Sequence, residues 1–220
     1  PTRDDIIEEA MALRRQLGET GPRTDARAIQ RRMLEVHNHF SAKSLKSDGP
    51  LVSVIVLPEA GENSESAMGW IRAQDYPNLE ILIADTDGTS PWSAHQNAYA
   101  QAKGEWVAWI HAGTCWYPDH ISRLMTIITD DVSLAWSDGH RYGLRDDGVI
   151  EQSDWRVPRD IKRHHLLSEN SIPLDGIVHR RQDADASLFS HCTHGDWHFI
   201  LSLCDAGKVV RTTTPTWGRS

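Results

Sequence analysis

The chain has 220 residues, which is long enough for one domain with a sizeable core. Its 31 acidic and 23 basic side chains leave a formal net charge of -8, which argues against a protein that binds nucleic acid along its phosphates. The three cysteines are odd in number and lack C-x-x-C spacing, so we expect no disulfide framework and a cytoplasmic location. No apolar run approaches the ~20 residues of a membrane span, so we expect none.

Residues 1–48 are predicted to form a helical hairpin ahead of the main domain. Thr2 is a candidate cap for a first helix whose apolar positions recur at helical spacing as far as Leu17. Thr24 opens a second helix with an apolar stripe that ends near Phe40. We expect this hairpin to serve in packing or assembly rather than catalysis, so its candidate partners are a second copy of the chain or the rest of a longer chain.

From residue 49 to residue 220, short apolar runs alternate with helical segments. The runs LVSVIVL, EILIAD and EWVAWI are almost continuously apolar, as strands are when both faces of a parallel sheet are covered. The segments between them, NSESAMGWIRAQ and SAHQNAYAQAKG, have the composition of helices. The alternation predicts a second domain with an α/β fold, in which a mostly parallel sheet is flanked by helices.

Polar residues follow the predicted strands at their carboxyl ends. Asp85 ends the second strand, Asp87 follows it, and His111 comes directly after the third. Because ligands of such sheets bind beyond the carboxyl ends of the strands, we expect these three side chains along one rim of a cleft. The first strand is followed by PEAGEN, which matches neither G-x-G-x-x-G nor a Walker loop, so a bound phosphate must be held in another way.

A series of short motifs runs along the chain from about residue 50 to about residue 210. They are PLVSVIVL, QDYPNLEILIAD, AKGEWVAWI, LAWSDGHRYGLRDDGVIEQSDWRVP, VHRR and GDWHFILSL. In this order they resemble glycosyltransferase family 2. The resemblance implies a GT-A fold and an inverting transfer of sugar from a nucleotide-diphosphate donor to a hydroxyl group. The implied acceptor is a saccharide or a lipid-linked molecule, as in polysaccharide biosynthesis.

The resemblance also implies roles for two carboxylates. Asp85 matches the aspartate that binds the base of the donor nucleotide, whereas Asp87 is a candidate nucleotide contact only through its place on the same rim. Asp196 matches the general base, because a carboxylate must take the proton of the weakly nucleophilic acceptor hydroxyl. Gly195 stands where the family usually has an acidic or amide residue beside this base.

The motif that implies a metal cofactor is altered in this chain. His111 and Gly113 match the two ends of the family's Asp-x-Asp, whose carboxylates position the ribose and a divalent metal on the diphosphate. Mn²⁺ and Mg²⁺ prefer oxygen ligands, and Gly113 has no side chain, so the sequence leaves the metal cofactor open.

His111 therefore has three interpretations. It is a ligand of a softer metal, working with Asp85, Asp87 or a downstream histidine; or it pairs with the diphosphate directly as a cation; or it is a polar strand end in a site that has lost its donor. The last interpretation corresponds to an alternative function. In that case the chain is a catalytically degraded GT-A module that binds a glycan or a partner protein, or forms one half of a larger enzyme.

Four of the nine tryptophans bear on these predictions. Trp197 and Trp116 lie near the proposed rim, where an indole face can stack on the sugar or the acceptor, with ordinary packing as the alternative. Trp106 and Trp109 lie within a predicted strand and are expected in the core.

Overall fold

The computed structural model describes residues 49–58, 64–86, 88, 90–144, 150–155, 163–167, 170–190 and 194–219. The predicted N-terminal hairpin and Asp87 lie outside the described residues, so the division of the chain at residue 49 stays a prediction. No helix in the described ranges is long and apolar enough to cross a membrane.

Strands, helices and short 3-10 helices alternate along the described part of the chain. The strands are β1 Val52–Leu57, β2 Leu79–Ile83, β3 Trp106–His111, β4 Thr114–Trp116, β5 Val132–Leu144, β6 Ile150–Trp155, β7 Ile177–Arg180 and β8 Lys208–Arg219. The α-helices are α1 Ser64–Arg72, α2 Pro91–Gln101, α3 His120–Thr126, α4 Arg163–Leu166 and α5 Gly195–Ala206. The 3-10 helices are Leu174–Gly176, Arg181–Asp183 and Ala186–Ser190.

All the strands belong to one sheet in the order β2-β1-β3-β7-β5-β8-β4, with β6 paired to β5. The first three strands are parallel neighbours, as predicted: β1 pairs with β2 on one side and with β3 on the other. The rest of the sheet is mixed, because β7 runs antiparallel to β3 and to β5, and β4 runs antiparallel to β8. The prediction of a mostly parallel sheet therefore holds for β1, β2 and β3 only.

The antiparallel strand β7 determines what lies beside the end of β3. In this pair Trp106 is opposite Arg180 and Ala108 is opposite Val178, so the start of β7 lies towards the carboxyl end of β3. The 3-10 helix Leu174–Gly176 leads directly into β7 and therefore lies next to His111. The last residue of β8, Arg219, reaches the same end of the sheet by pairing with Thr114 of β4.

Both faces of the parallel strands are covered, as their apolar runs predicted. Alternate residues of β3 belong to two hydrophobic clusters, with Trp109 on one face and Trp106 on the other. Helices α2 and α5 cover the first face, and α1 and α3 cover the second. Trp106 and Trp109 are buried, so the prediction that they belong to the core is confirmed.

Three side chains of the segment QDYPNLE form hydrogen bonds with backbone groups elsewhere in the fold. The Gln74 amide donates to the carbonyl oxygen of Tyr117 at 2.8 Å, and the hydroxyl group of Tyr76 donates to the carbonyl oxygen of Pro50 at 2.7 Å. The carboxylate of Glu80 accepts the backbone N–H of Gly104 at 3.1 Å. This part of the resembling sequence therefore serves the architecture of the sheet.

Candidate functional site

A cavity of about 260 Å³ opens at the carboxyl end of β3. Its lining residues come from α2, the end of β3, the segment before β7, the start of α5 and the end of β8. They are Trp92, His95, His111, Asn170, Pro173, Leu174, Asp175, Asp196 and Arg219. A second cavity of about the same volume lies beside residues 103–105, just before β3, and residues 181–182, just after β7. Because ligands of parallel strands bind at the carboxyl ends, we take the first cavity as the candidate site.

The side chain of His111 is oriented by a buried carboxylate, that of Asp175. The ring nitrogen Nδ1 of His111 lies 2.9 Å from Oδ1 and 3.0 Å from Oδ2 of Asp175, and the backbone N–H of His111 donates to Oδ1 at 2.7 Å. Burial acts to raise the pKa of Asp175, but the charge and hydrogen bonds of His111, aided by Arg219, outweigh burial and lower it. The carboxylate is therefore the acceptor, and Nδ1 of the ring carries the proton.

Asp175 also connects the rest of the cleft wall. A guanidinium nitrogen of Arg219 lies 3.4 Å from its Oδ2. Its backbone carbonyl accepts the indole N–H of Trp116 at 2.8 Å. Trp116 is completely buried, so the expectation that its ring contacts a sugar is wrong for this structure. The physical reason is that the indole group fills the space behind Asp175 and supports it.

Asp196, the predicted general base, lies in the first turn of α5 and lines the cavity. Its Oδ2 accepts a hydrogen bond from the side-chain amide of Asn170 at 3.1 Å. Gly195, just before it, has a structural explanation, because a Cβ atom there would lie 2.6 Å from the carbonyl oxygen of Phe189. A side chain at residue 195 would therefore push the start of α5, and Asp196 with it, away from the 3-10 helix Ala186–Ser190.

The other predicted contacts lie outside the cavity lining. Trp197 is half-buried and donates its indole N–H to the carbonyl oxygen of Leu166, so it braces α5 against α4. Asp85 is exposed beyond the end of β2, and two strand spacings, roughly 10 Å, separate β2 from β3. The structure therefore brings His111 and Asp196 together but does not add Asp85 to the same wall.

Sequence reasoning missed four polar residues of this wall. His95 is buried, and burial, followed by the charge of His111, lowers its pKa to about 4, so its ring is neutral at neutral pH. Asp175, Asn170 and Arg219 were not singled out. The Leu-Asp-Gly turn ahead of an apolar strand was a usable signal for Asp175, but its contact with His111 depends on the antiparallel placement of β7.

No profile of a known protein family matches the chain, and no curated protein is similar to it. Solved structures do match. The crystal structure of S. aureus TarS residues 1–349 has a TM-score of 0.52 at 13% identity, over 77% of this chain and 60% of that one. TarS is a GT-A-like glycosyltransferase, so the structural similarity is to a protein of that fold. The chain has a glycosyltransferase-like fold.

Two further structures of the same protein agree with this fold. TarS 1–349 in complex with UDP has a TM-score of 0.50 at 14% identity, over 76% of this chain and 60% of that chain. A longer TarS structure has a TM-score of 0.53 at 14% identity, over 77% of this chain and 36% of that chain. The chain thus spans less than two thirds of each TarS structure. Within the described residues, this likeness supports the glycosyltransferase-like α/β fold that the sequence motifs implied, while family 2 membership stays a prediction.

Proposed function

We propose that the chain is a glycosyltransferase of the family 2 type, which transfers a sugar from a nucleotide-diphosphate donor to a hydroxyl group of a saccharide or lipid-linked acceptor. The observation that carries this proposal is that Asp196 and His111, far apart in the chain, line one cavity at the carboxyl end of β3. The UDP complex of TarS, which has a similar fold, supports a nucleotide as the donor component.

Asp196 is the general base in this proposal. Its carboxylate takes the proton of the acceptor hydroxyl while the hydroxyl oxygen attacks the anomeric carbon and the bond from that carbon to the diphosphate breaks. Attack from the face opposite the leaving group gives inversion in a single displacement. Because Asn170 donates to Oδ2 of Asp196, we assign the acceptor hydroxyl to the other oxygen, Oδ1.

The donor nucleotide is proposed to lie along the rim formed by the carboxyl ends of β2, β1 and β3. Asp85 beyond β2 contacts the base, as does Asp87, two residues further along the chain, while the diphosphate and sugar reach the cavity beside His111. Neutral His95 and the indole ring of Trp92 supply a partly apolar wall for the sugar. Burial of the reacting groups in such a wall strengthens their electrostatic interactions.

The proposal is tested by substituting the base. Asp196→Asn keeps the shape of the side chain but removes its basicity, so sugar transfer or donor hydrolysis should fall by about 10²-fold or more. UDP affinity should stay unchanged, since this residue acts on the acceptor. Asp205→Asn is the matched control, because Asp205 lies on the same helix and is exposed at its far end.

The measurements are release of nucleoside diphosphate from a panel of nucleotide sugars, and calorimetry with UDP, for the wild type and both variants. Turnover that survives Asp196→Asn would remove this residue from the mechanism. A wild-type chain that neither binds nor turns over any nucleotide sugar would contradict the proposed function and favour a binding module.

A further inference from the structure

The basic side chains of the cleft stand in front of a buried carboxylate. Asp175 is only 1% exposed, whereas His111 is 22% exposed and Arg219 is 37% exposed, and all three line the same cavity. With a proton on both ring nitrogens of His111, this group carries two positive charges and one negative charge. The side of the cavity formed by His111 and Arg219 therefore presents basic groups to a ligand, with the Asp175 carboxylate behind them, while Asp196 lines the cavity from the start of α5.

These residues do not fit a divalent metal ion. Both oxygens of Asp175 already accept hydrogen bonds, from the ring and backbone of His111 and from Arg219. A cation that approached this carboxylate would meet the two basic groups first. Gly113, the position from which the resembling family supplies an oxygen ligand, has no side chain. Among the residues that the structure describes, no group of three or more His, Cys, Asp or Glu side chains could hold a metal ion.

We propose that the cleft binds the diphosphate of the donor directly through His111 and Arg219, without a metal ion, and that Asp175 holds both side chains in place. The proposal rests on the function proposed above, because it assigns the diphosphate part of the same donor. A guanidinium group binds phosphate oxygens with paired N–H donors, and an imidazolium ring adds a further charge-assisted hydrogen bond.

The arrangement suits the departure of the nucleotide as well as its binding. When the bond between the anomeric carbon and the diphosphate breaks, negative charge develops on the diphosphate oxygen. Fixed cationic donors beside that oxygen stabilise the charge without reorganisation. Asp175 fixes the orientation of the His111 ring through its contact with Nδ1. The other ring nitrogen, Nε2, then lies on the side of the ring away from this carboxylate.

The test is calorimetry with UDP, GDP, CDP, uridine and inorganic pyrophosphate, in EDTA and in Mn²⁺. The variants are Arg219→Gln, Arg219→Lys, His111→Gln and the control Arg123→Gln. Arg123 is a matched control because it is 39% exposed and pairs with an aspartate, Asp119, and neither residue is among those that line the cavity. Thermal unfolding establishes that each variant is folded, and the Lys variant keeps the charge at residue 219 if the Gln variant does not fold.

We expect a nucleoside diphosphate to bind in EDTA, and Mn²⁺ to change its dissociation constant by less than tenfold. Arg219→Gln and His111→Gln should each weaken that binding by tenfold or more, while Arg219→Lys should have a smaller effect. Uridine affinity should be the same in all variants, and Arg123→Gln should behave as the wild type. This pattern would support a metal-independent diphosphate site.

Three other outcomes separate this inference from the proposed function. Binding of nucleoside diphosphates only in Mn²⁺, insensitive to Arg219→Gln, would overturn the inference and leave a metal-dependent transferase. No binding of any nucleoside diphosphate or of pyrophosphate in EDTA would also overturn it. Pyrophosphate binding in EDTA that Arg219→Gln abolishes, without binding or turnover of any nucleotide sugar, would support the anion site and contradict the proposed function.

Discussion

Two aspartate–arginine pairs anchor strand β8, and they differ in what surrounds the guanidinium group. In the first pair, Arg211 donates to Asp138 and lies 4.6 Å from the centre of the Trp136 ring, and both charged side chains are nearly buried. In the second pair, Asp175 is buried, but Arg219 is more exposed and lines the cavity. Both arginines come from one strand, so the difference lies in their neighbours.

The comparison shows that one fold can use an aspartate–arginine pair for structure at one place and for binding at another. A guanidinium group that is covered by an indole ring and neutralised by its own carboxylate contributes to folding and cannot reach a ligand. A guanidinium group at the mouth of a cavity, with its carboxylate buried behind it, is held in position by that carboxylate and still borders the space that a ligand would occupy. The predictions below test this difference, beginning with the largest expected effect.

The largest effect is expected from acid, which should destabilise the protein through its buried histidines. Burial, aided by the charge of His111, lowers the pKa of His95 to about 4, and burial lowers the pKa of His120 and of His179 to about 3, from 6.5. Stability is therefore complete above pH 6.5 and is lost as the pH falls towards the folded-state values. We expect the free energy of unfolding to fall by about 1.4 kcal/mol per histidine for each pH unit in that window.

Urea unfolding at several pH values measures this loss. His179→Gln should reduce the slope of the free energy of unfolding against pH by the contribution of one histidine. The carboxyl group of Asp175 has a pKa below its ordinary 3.8, so the stability that it contributes is present above that value and is lost only at lower pH. A free energy of unfolding that stays constant down to about pH 5 would show that the histidines are not buried as described.

Removing the aspartate of the first pair should have the next largest effect. Asp138→Ala leaves Arg211 buried without its carboxylate, which typically costs about 3–5 kcal/mol. Arg219→Gln should cost less than about 1 kcal/mol, because that guanidinium group is 37% exposed. Urea unfolding of both variants gives the comparison, and equal losses would mean that the two pairs serve the fold alike.

A methyl group added between the two pairs should lower the free energy of unfolding by somewhat less than Asp138→Ala does. A Cβ atom at Gly139 of β5 would lie 2.2 Å from the ring of Trp217, which fills the space beside β5 from the opposite position on β8. We expect Gly139→Ala to lower the free energy of unfolding by about 2–3 kcal/mol, as overpacking does in a dense core. Trp217→Phe in the same chain should recover part of the loss, and strict additivity of the two changes would contradict this contact.

The smallest effect is expected at a third pair, on the surface. Asp119 and Arg123 are each 39% exposed and contact each other at the start of α3. Asp119→Asn should change the free energy of unfolding by less than about 1 kcal/mol, because water and salt screen an exposed pair. Chemical unfolding at low and high salt checks this value, and a larger loss would indicate that exposure is a poor guide to the role of these pairs.

Local sequence pattern was sufficient for the first half of the sheet. Parallel strands that are covered on both faces need continuous apolar runs, and β1, β2 and β3 are such runs and pair as predicted. The motifs also indicated two of the residues that line the cavity, His111 and Asp196. Both succeed for the same reason, since the end of a strand and the first turn of a helix have local signals.

The failures share a different cause. Trp116 was a candidate for sugar contact because it follows the rim in sequence, but β4 turns it inward onto the backbone of Asp175. Asp175 and Arg219 were overlooked because each reaches the cleft through a strand whose direction no local pattern reveals. Strand pairing depends on the side chains of both partners, and the two partners are far apart in the chain.

The sequence by itself determined the alternation of strands and helices, the burial of Trp106 and Trp109, and an acidic residue and a histidine that line one cavity, because periodicity and strand ends are properties of adjacent residues. Only the tertiary structure decided that a buried carboxylate stands behind His111 and Arg219. The charge that a cleft presents depends on which side chains are desolvated together, and that is decided when β3, β7 and β8 pack into one sheet.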